Sequence, residues 1–137
     1  MTREEILAMP AGRELDALVA EHVMGWQRIT ERPSHWLPLT GRESYPGPWW
    51  ALPDMPLDRV PENGICMPQW SASTAAAIEM LEATGMEYKI LRVHLLCVGG
   101  VQYDVQLNPY GRVYDSIATA HTLPLAACRA ALLAVME

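Results

Sequence analysis

Residues 88–107 read YKILRVHLLCVGGVQYDVQL, and the way this stretch pairs with itself decides the fold. From Lys89 on, the odd positions Leu91, Val93, Leu95 and Cys97 are apolar, with Arg92 and His94 between them. A period of two is the mark of a strand with one buried face. Beyond Gly99-Gly100 the alternation resumes, with Val101, Tyr103, Val105 and Leu107 set against Gln102, Asp104 and Gln106. A two-residue turn at Gly99-Gly100 would mix the two faces. A three-residue loop, Val98-Gly99-Gly100, keeps them apart and is a common hairpin geometry with glycine in the left-handed region. It pairs Cys97 with Val101, Leu95 with Tyr103 and Val93 with Val105. The same register sets His94 opposite Asp104 and Arg92 opposite Gln106, with Arg92 diagonal to Asp104, close enough to interact. A five-residue loop would keep the faces and shift these partners.

Working outward, Asn108-Pro109-Tyr110-Gly111 is a turn signal, with proline at its second position and glycine at its fourth. A short third strand is expected at 112–115, with the faces of Arg112 and Tyr114 open. The last helix is expected at about 122–136, with Pro124 in its first turn. Leu125, Cys128, Leu132 and Val135 form its main stripe, and alanines fill much of the rest. A helix apolar nearly all round is buried on more than one side. That predicts cover from the long loop or from a partner subunit.

Upstream, Thr2 and Glu5 have the spacing of a capping box before Ile6-Leu7, so a short helix starts there. A second helix is expected from Pro10, because Leu15, Leu18, Val19, His22 and Val23 share one face; Gly25 stops it. Ser71 and Ser73 are candidate caps for a helix through Ala75, Ile78 and Leu81, closed by Gly85. Between these helices, 26–70 shows no lasting period. It carries eight of the eleven prolines and all five tryptophans. Long irregular segments in compact domains are usually functional or disordered. This one is rich in side chains that gain by packing, which argues against disorder. It is expected to wrap one face of the sheet, as packing, as a ligand wall or as both. In the second role Trp36, Trp49, Trp50 and Tyr45 are available for stacking and Arg42 for charge.

The 137 residues suit a single domain, 1–137, with 26–70 as a long insert. Half the residues are hydrophobic and the net charge is −6. No lysine or arginine cluster offers the footprint needed for long DNA or RNA. Two or three local arginines would still suffice for one phosphate group. Cys66, Cys97 and Cys128 are few, far apart and without a C-x-x-C, as expected of small hydrophobes in a reducing cytoplasm. The first residues include Arg3, Glu4 and Glu5 and no long apolar run, so no secretory leader is expected. No stretch reaches the roughly 20 apolar residues of a membrane span.

Three blocks carry a resemblance. They are Met9-Pro10-Ala11-Gly12-Arg13-Glu14-Leu15-Asp16, continued by Val23-Met24-Gly25-Trp26; Trp70-Ser71-Ala72-Ser73-Thr74-Ala75-Ala76-Ala77-Ile78-Glu79; and Leu123-Pro124-Leu125-Ala126-Ala127-Cys128-Arg129-Ala130-Ala131-Leu132-Leu133. In type and order they resemble the phage ABA sandwich domain family, small proteins of phages and prophages. The resemblance covers roughly half the chain. It implies a viral origin and an α+β fold: an α/β/α sandwich with a three-stranded antiparallel sheet, flanking helices and, here, the long Pro/Trp-rich loop. It brings no catalytic residues with it. The 26–70 insert departs from the family pattern, and Ala72-Ser73 stands where the family has Thr-Asp.

The chemistry legible in the residues is thin. His94 beside Asp104 has the elements of an oriented base, but no Gly-x-Ser-x-Gly supplies a nucleophile. Two convergent acids are not evident, and the four histidines have no metal-ligand spacing. Catalysis, metal and cofactor therefore have no specific support. Binding fares better. Arg92, His94, Gln102, Asp104 and Gln106 present donors and acceptors on one expected face. The tryptophan-rich loop, folded over it, would make an aromatic-walled small-molecule site. Arginine suits phosphate and tryptophan suits a base, so the expected ligand is small and nucleotide-like. The function that follows is a phage protein sequestering a host nucleotide signal. The alternatives are an adaptor that meets proteins through exposed tryptophans, and a nucleotide-signal hydrolase. The apolar last helix and the many tryptophans predict a homo-oligomer.

Overall fold

The computed structural model describes residues 2–36, 47–96, 99–108 and 116–136, and not the side chains of Asn108, Ser116 and Ile117. The chain is α+β, with a three-stranded antiparallel sheet and flanking helices. Its elements are α1 (Arg3–Ala8), α2 (Arg13–Leu18), β1 (Gln27–Ile29), β2 (Trp49–Ala51), α3 (Thr74–Ala83), β3 (Glu87–His94), β4 (Val101–Asn108), β5 (Ser116–Ala120) and α4 (Leu123–Met136).

The helix ends follow local signals. The Thr2 hydroxyl accepts the Glu5 N–H while the Glu5 carboxylate accepts the Thr2 N–H, closing the capping box of α1. Ser73 caps α3 by accepting from the Ala76 N–H at 3.3 Å, and Gly85 leaves that helix at φ +70°. The second helix starts later than expected, after Gly12 rather than at Pro10, and from Val19 to Val23 it widens into a π-helical turn. There the Met24 N–H reaches the Val19 carbonyl at 2.9 Å.

Helix α4 is the hub. One side lies on β4 and β5, and α1, α3 and the α2 region pack on others. From Pro124 to Cys128 and from Ala130 to Leu133 every residue is buried. The alanines explain why several elements can approach it closely. Arg129, its charged exception, donates to the Met9 carbonyl at 2.8 and 3.3 Å and to the Thr119 carbonyl at 3.1 Å. The cover on more than one side comes from the sheet and the other helices, where the long loop or a partner subunit was expected.

The hairpin register differs from the expected one. His94 pairs with Val101, Arg92 with Tyr103, Ile90 with Val105 and Tyr88 with Leu107. Residues 95–100 make the connection, and the Leu95 N–H donates to the Gly100 carbonyl at 3.1 Å. Within it, Cys97 and Val98 lie outside the described residues. The slip is by an odd number of residues, so it turns β3 over. Val105 and Leu107 are fully buried as expected, but they share their face with Tyr88 and Ile90. Leu91 and Val93 are 47% and 36% exposed. The physical reason is that β3 is apolar on both faces, so alternation alone does not choose between them. Ile90 and Leu91 are adjacent, and α4 packs on β4 and β5 rather than on this edge strand.

The third strand is β5, which pairs Val105 with Ala118 and Asp104 with Thr119. The strand expected at 112–115 lies outside the described residues, as do Pro109, Tyr110 and Gly111 of the turn before it. In its described parts the long segment packs elsewhere than on the sheet's polar face. Its described parts form an antiparallel ribbon, β1 with β2, and a second small core of Ile29, Trp36, Trp49, Ala51 and Val60. Trp50 and Trp70 enter the main core, where Trp26 meets Trp70 edge to face at 5.5 Å.

Candidate functional site

Among the described residues a cleft of about 880 Å³ lies between α2 and the ribbon. That volume is in the range of small-molecule sites. One wall is helical and polar at its rim, built from Arg13, Glu14, Asp16, Ala17, Leu18 and Glu21. The facing wall is Trp49 and Trp50 of β2 with Asn63, Gly64 and Ile65 of the strap that follows, while Met9 and Met67 add flexible apolar surface. Arg28 of β1 stands at the edge.

Local geometry holds the strap. The Gly64 N–H donates to the Pro61 carbonyl at 2.9 Å, and the Ile65 N–H to the Trp50 carbonyl at 2.7 Å. Asn63 and Gly64 both have positive φ, +66° and +74°. A Cβ at residue 64 would lie 2.8 Å from the Trp50 oxygen and 2.9 Å from its nitrogen, so only glycine permits this approach.

The polar groups are unequal. Arg28 stands 4.0 Å from Glu21, both well exposed, and such a pair is weak enough to be redirected to an anionic ligand. Asp16 is different, because it lines the cleft yet is only 5% exposed. Its Oδ1 accepts the Ser71 N–H at 2.7 Å, across a separation of 55 residues. Burial pushes its carboxyl above the usual value, and the Ser71 hydrogen bonds oppose that rise. The Ser71 hydroxyl accepts the Gly12 N–H at 3.0 Å and donates to the Gly12 carbonyl at 3.4 Å. This pins the start of α2 to the segment before α3. Cys66, also in the lining, is exposed, whereas burial raises the Cys128 thiol well above its ordinary value.

The cluster expected on the hairpin is not assembled. The register puts Arg92 and His94 on the face of Tyr103 and Val101, and Gln102, Asp104 and Gln106 on the opposite one. Gln102 donates to Asp104 at 3.0 Å, and Leu91 and Val93 are their neighbours across the strand. His94 is therefore not opposite Asp104. Of the loop residues, Trp49 and Trp50 do line a cavity, but with α2 rather than with the sheet. Trp36 is 5% exposed in the second core, its Nε1 donating to the Val60 carbonyl at 3.0 Å. Arg42 and Tyr45 lie outside the described residues. Trp36, Trp49, Trp50 and Trp70 are buried and Trp26 is half-buried, so these four rings offer little exposed aromatic surface. Sequence reasoning missed Arg13, Asp16, Arg28 and Gly64. Asn63-Gly64, a positive-φ turn signal, could have pointed to this place beside Trp49 and Trp50.

Among the described residues no group of three His, Cys, Asp or Glu is placed to hold a metal ion, and no helix is long and apolar enough to cross a membrane.

No family model and no curated protein matches the chain. Among solved structures the chain is similar to a phage protein from Bacillus cereus. The TM-score is 0.54 at 20% identity, over 95% of this chain and 91% of that one. At that identity the likeness is one of fold. The chain is an α+β protein sharing its architecture with a phage protein.

Proposed function

We propose that this chain is a phage or prophage protein, of the phage ABA sandwich type, that binds a small nucleotide-like ligand in the cleft between α2 and the ribbon. It works inside the host cell and holds the ligand rather than transforming it, sequestering a nucleotide signal of host immunity. The observation that carries the reading is the cleft itself, about 880 Å³ with tryptophan and methionine in its walls and two arginines at its rim. An aromatic base gains by packing on Trp49, Trp50, Met9 and Met67, and Arg13 and Arg28 suit a phosphate group. The phage neighbour and the three sequence blocks support the viral assignment.

The test is calorimetry and thermal shift against mononucleotides, cyclic nucleotides and ADP-ribose-type signals. A member of that set should raise the melting temperature and be recovered intact after denaturation. Arg28→Ala, which removes only a long surface pair, should weaken binding by about tenfold while leaving the fold in place. Recovery of an altered ligand would make the protein a hydrolase instead. No stabilisation by any of these compounds, with capture of a host protein, would sink the reading.

A further inference from the structure

Strand β3 ends the sheet, with β4 on one side and, among the described residues, no strand on the other. In an antiparallel ladder, residues alternate between aiming both backbone groups at the neighbouring strand and aiming both away from it. The Leu95 N–H donates to the Gly100 carbonyl, and Leu91 and Val93 are in phase with Leu95 along the same register. Leu91 and Val93 therefore direct their backbone groups to β4. Tyr88, Ile90, Arg92 and His94 aim theirs out of the sheet, where no described residue receives them. An open edge of this kind, flanked by exposed apolar side chains, is a template for another strand. Here Leu91 and Val93 are exposed on the sheet's uncovered face, and Leu96, just past the strand, is almost fully exposed.

The strand's own sequence selects the occupant. We infer that this edge pairs with β3 of a second copy of the chain, antiparallel about a two-fold axis through Leu91. A two-fold axis perpendicular to the sheet preserves its faces, so even-numbered residues meet even-numbered ones and odd meet odd. An axis through Lys89 or Arg92 would set like charges directly opposite, which is destabilising. An axis through Ile90 would leave His94 opposite Met86, which lies before the strand. Axes nearer either end pair less of the strand. Through Leu91, Tyr88 meets the copy's His94 and Ile90 meets the copy's Arg92, so all four outward-facing residues are satisfied in both chains. Lys89 falls opposite the copy's Val93. Leu91 falls opposite its own counterpart in a non-hydrogen-bonded pair, where side chains stand closest. Leu91 and Val93 of both chains then form one apolar strip across the joint, and two three-stranded sheets become one continuous sheet.

Sedimentation equilibrium of the unaltered protein should give twice 15.3 kDa, falling toward the single-chain mass on dilution. Leu91→Lys and Leu91→Glu should each weaken pairing by about tenfold or more, because like charges then meet on the axis, and an equal mixture of the two should restore it. In a background of Cys66→Ser and Cys97→Ser, Leu91→Cys should link two chains by a disulfide under mild oxidation. Val93→Cys, which faces Lys89 rather than its own counterpart, should not. Leu91 and Val93 are exposed in the single chain, so these variants keep the fold. A mass of 15.3 kDa at every concentration would overturn the inference. So would a dimer untouched by Leu91→Lys, or one that cross-links through residue 93 instead of 91. A single-chain mass that rises only when an unrelated extended peptide is added would assign the edge to a different partner and overturn the pairing with a copy.

Discussion

Asp16 shows how a single side chain escapes a sequence reading and still ties two distant segments together. Its neighbours on α2 follow a helical stripe, and nothing local separates it from Glu14 or Glu21. Its partner, the Ser71 N–H, is 55 residues away. Burial raises its carboxyl above the ordinary 3.8, so the native state holds this proton more tightly than the unfolded chain does. Where the native state binds more protons, lowering the pH stabilises it. Through the window from the raised value down to 3.8, stability contributed by this residue should therefore increase as pH falls. Glu5 is shifted the other way by the Thr2 backbone, so the effect is isolated by comparison. Urea midpoints of the unaltered protein and of Asp16→Asn, followed downward from pH 7, should move in favour of the unaltered protein. A pH-independent difference would show that the charge is not desolvated.

At the scale of elements, what was legible divides by the range of the forces involved. Thr2 with Glu5, Ser73 and Gly85 act within a turn of their own helix, and α1 and α3 begin or end where those residues predict. The stripe of α4 predicted a helix buried on several sides, and that is its position. Strand β3 was legible as a strand but not as a face. Both of its sides are apolar, and the choice is made by α4, which packs on the adjoining strands β4 and β5. The ribbon was not legible at all, because its small core joins residues from 29 to 60 with no period to announce them. That core makes a prediction of its own. Trp36 packs edge to face on Trp49 at 5.4 Å, lies under the Arg32 guanidinium at 5.5 Å and donates to Val60. Trp36→Ala should cost about 3–5 kcal/mol in that unit. Hydrogen exchange should show protection lost from Gln27–Ile29 and Trp49–Ala51 but kept in β3–β5. Equal loss in both sheets would mean that the two cores unfold as one.

For the molecule as a whole, the sheet is covered by α4 on one face, while the other carries Leu91, Val93, Gln102, Asp104 and Gln106. Strand β3 is also an edge, and an apolar edge strand is a surface other chains pair with. A homo-oligomer remains our expectation, now founded on this strand rather than on tryptophans. Light scattering should give a mass that is a multiple of 15.3 kDa. Replacing both Leu91 and Val93 by lysine should return it to the single-chain value. A mass of 15.3 kDa for the unaltered protein would refute the expectation.

The adjacent pair Trp49 and Trp50 has a thermodynamic consequence. Successive residues of a strand point to opposite sides, and here one ring enters the ribbon's small core while the next enters the main core. Both also line the cleft. A molecule bound there touches the two packing units at once, and every unit of its binding free energy is withdrawn if either opens. Occupancy would thus act as a clasp. It would slow the opening of the ribbon relative to the helices and make protease resistance of this segment a gauge of how full the cleft is.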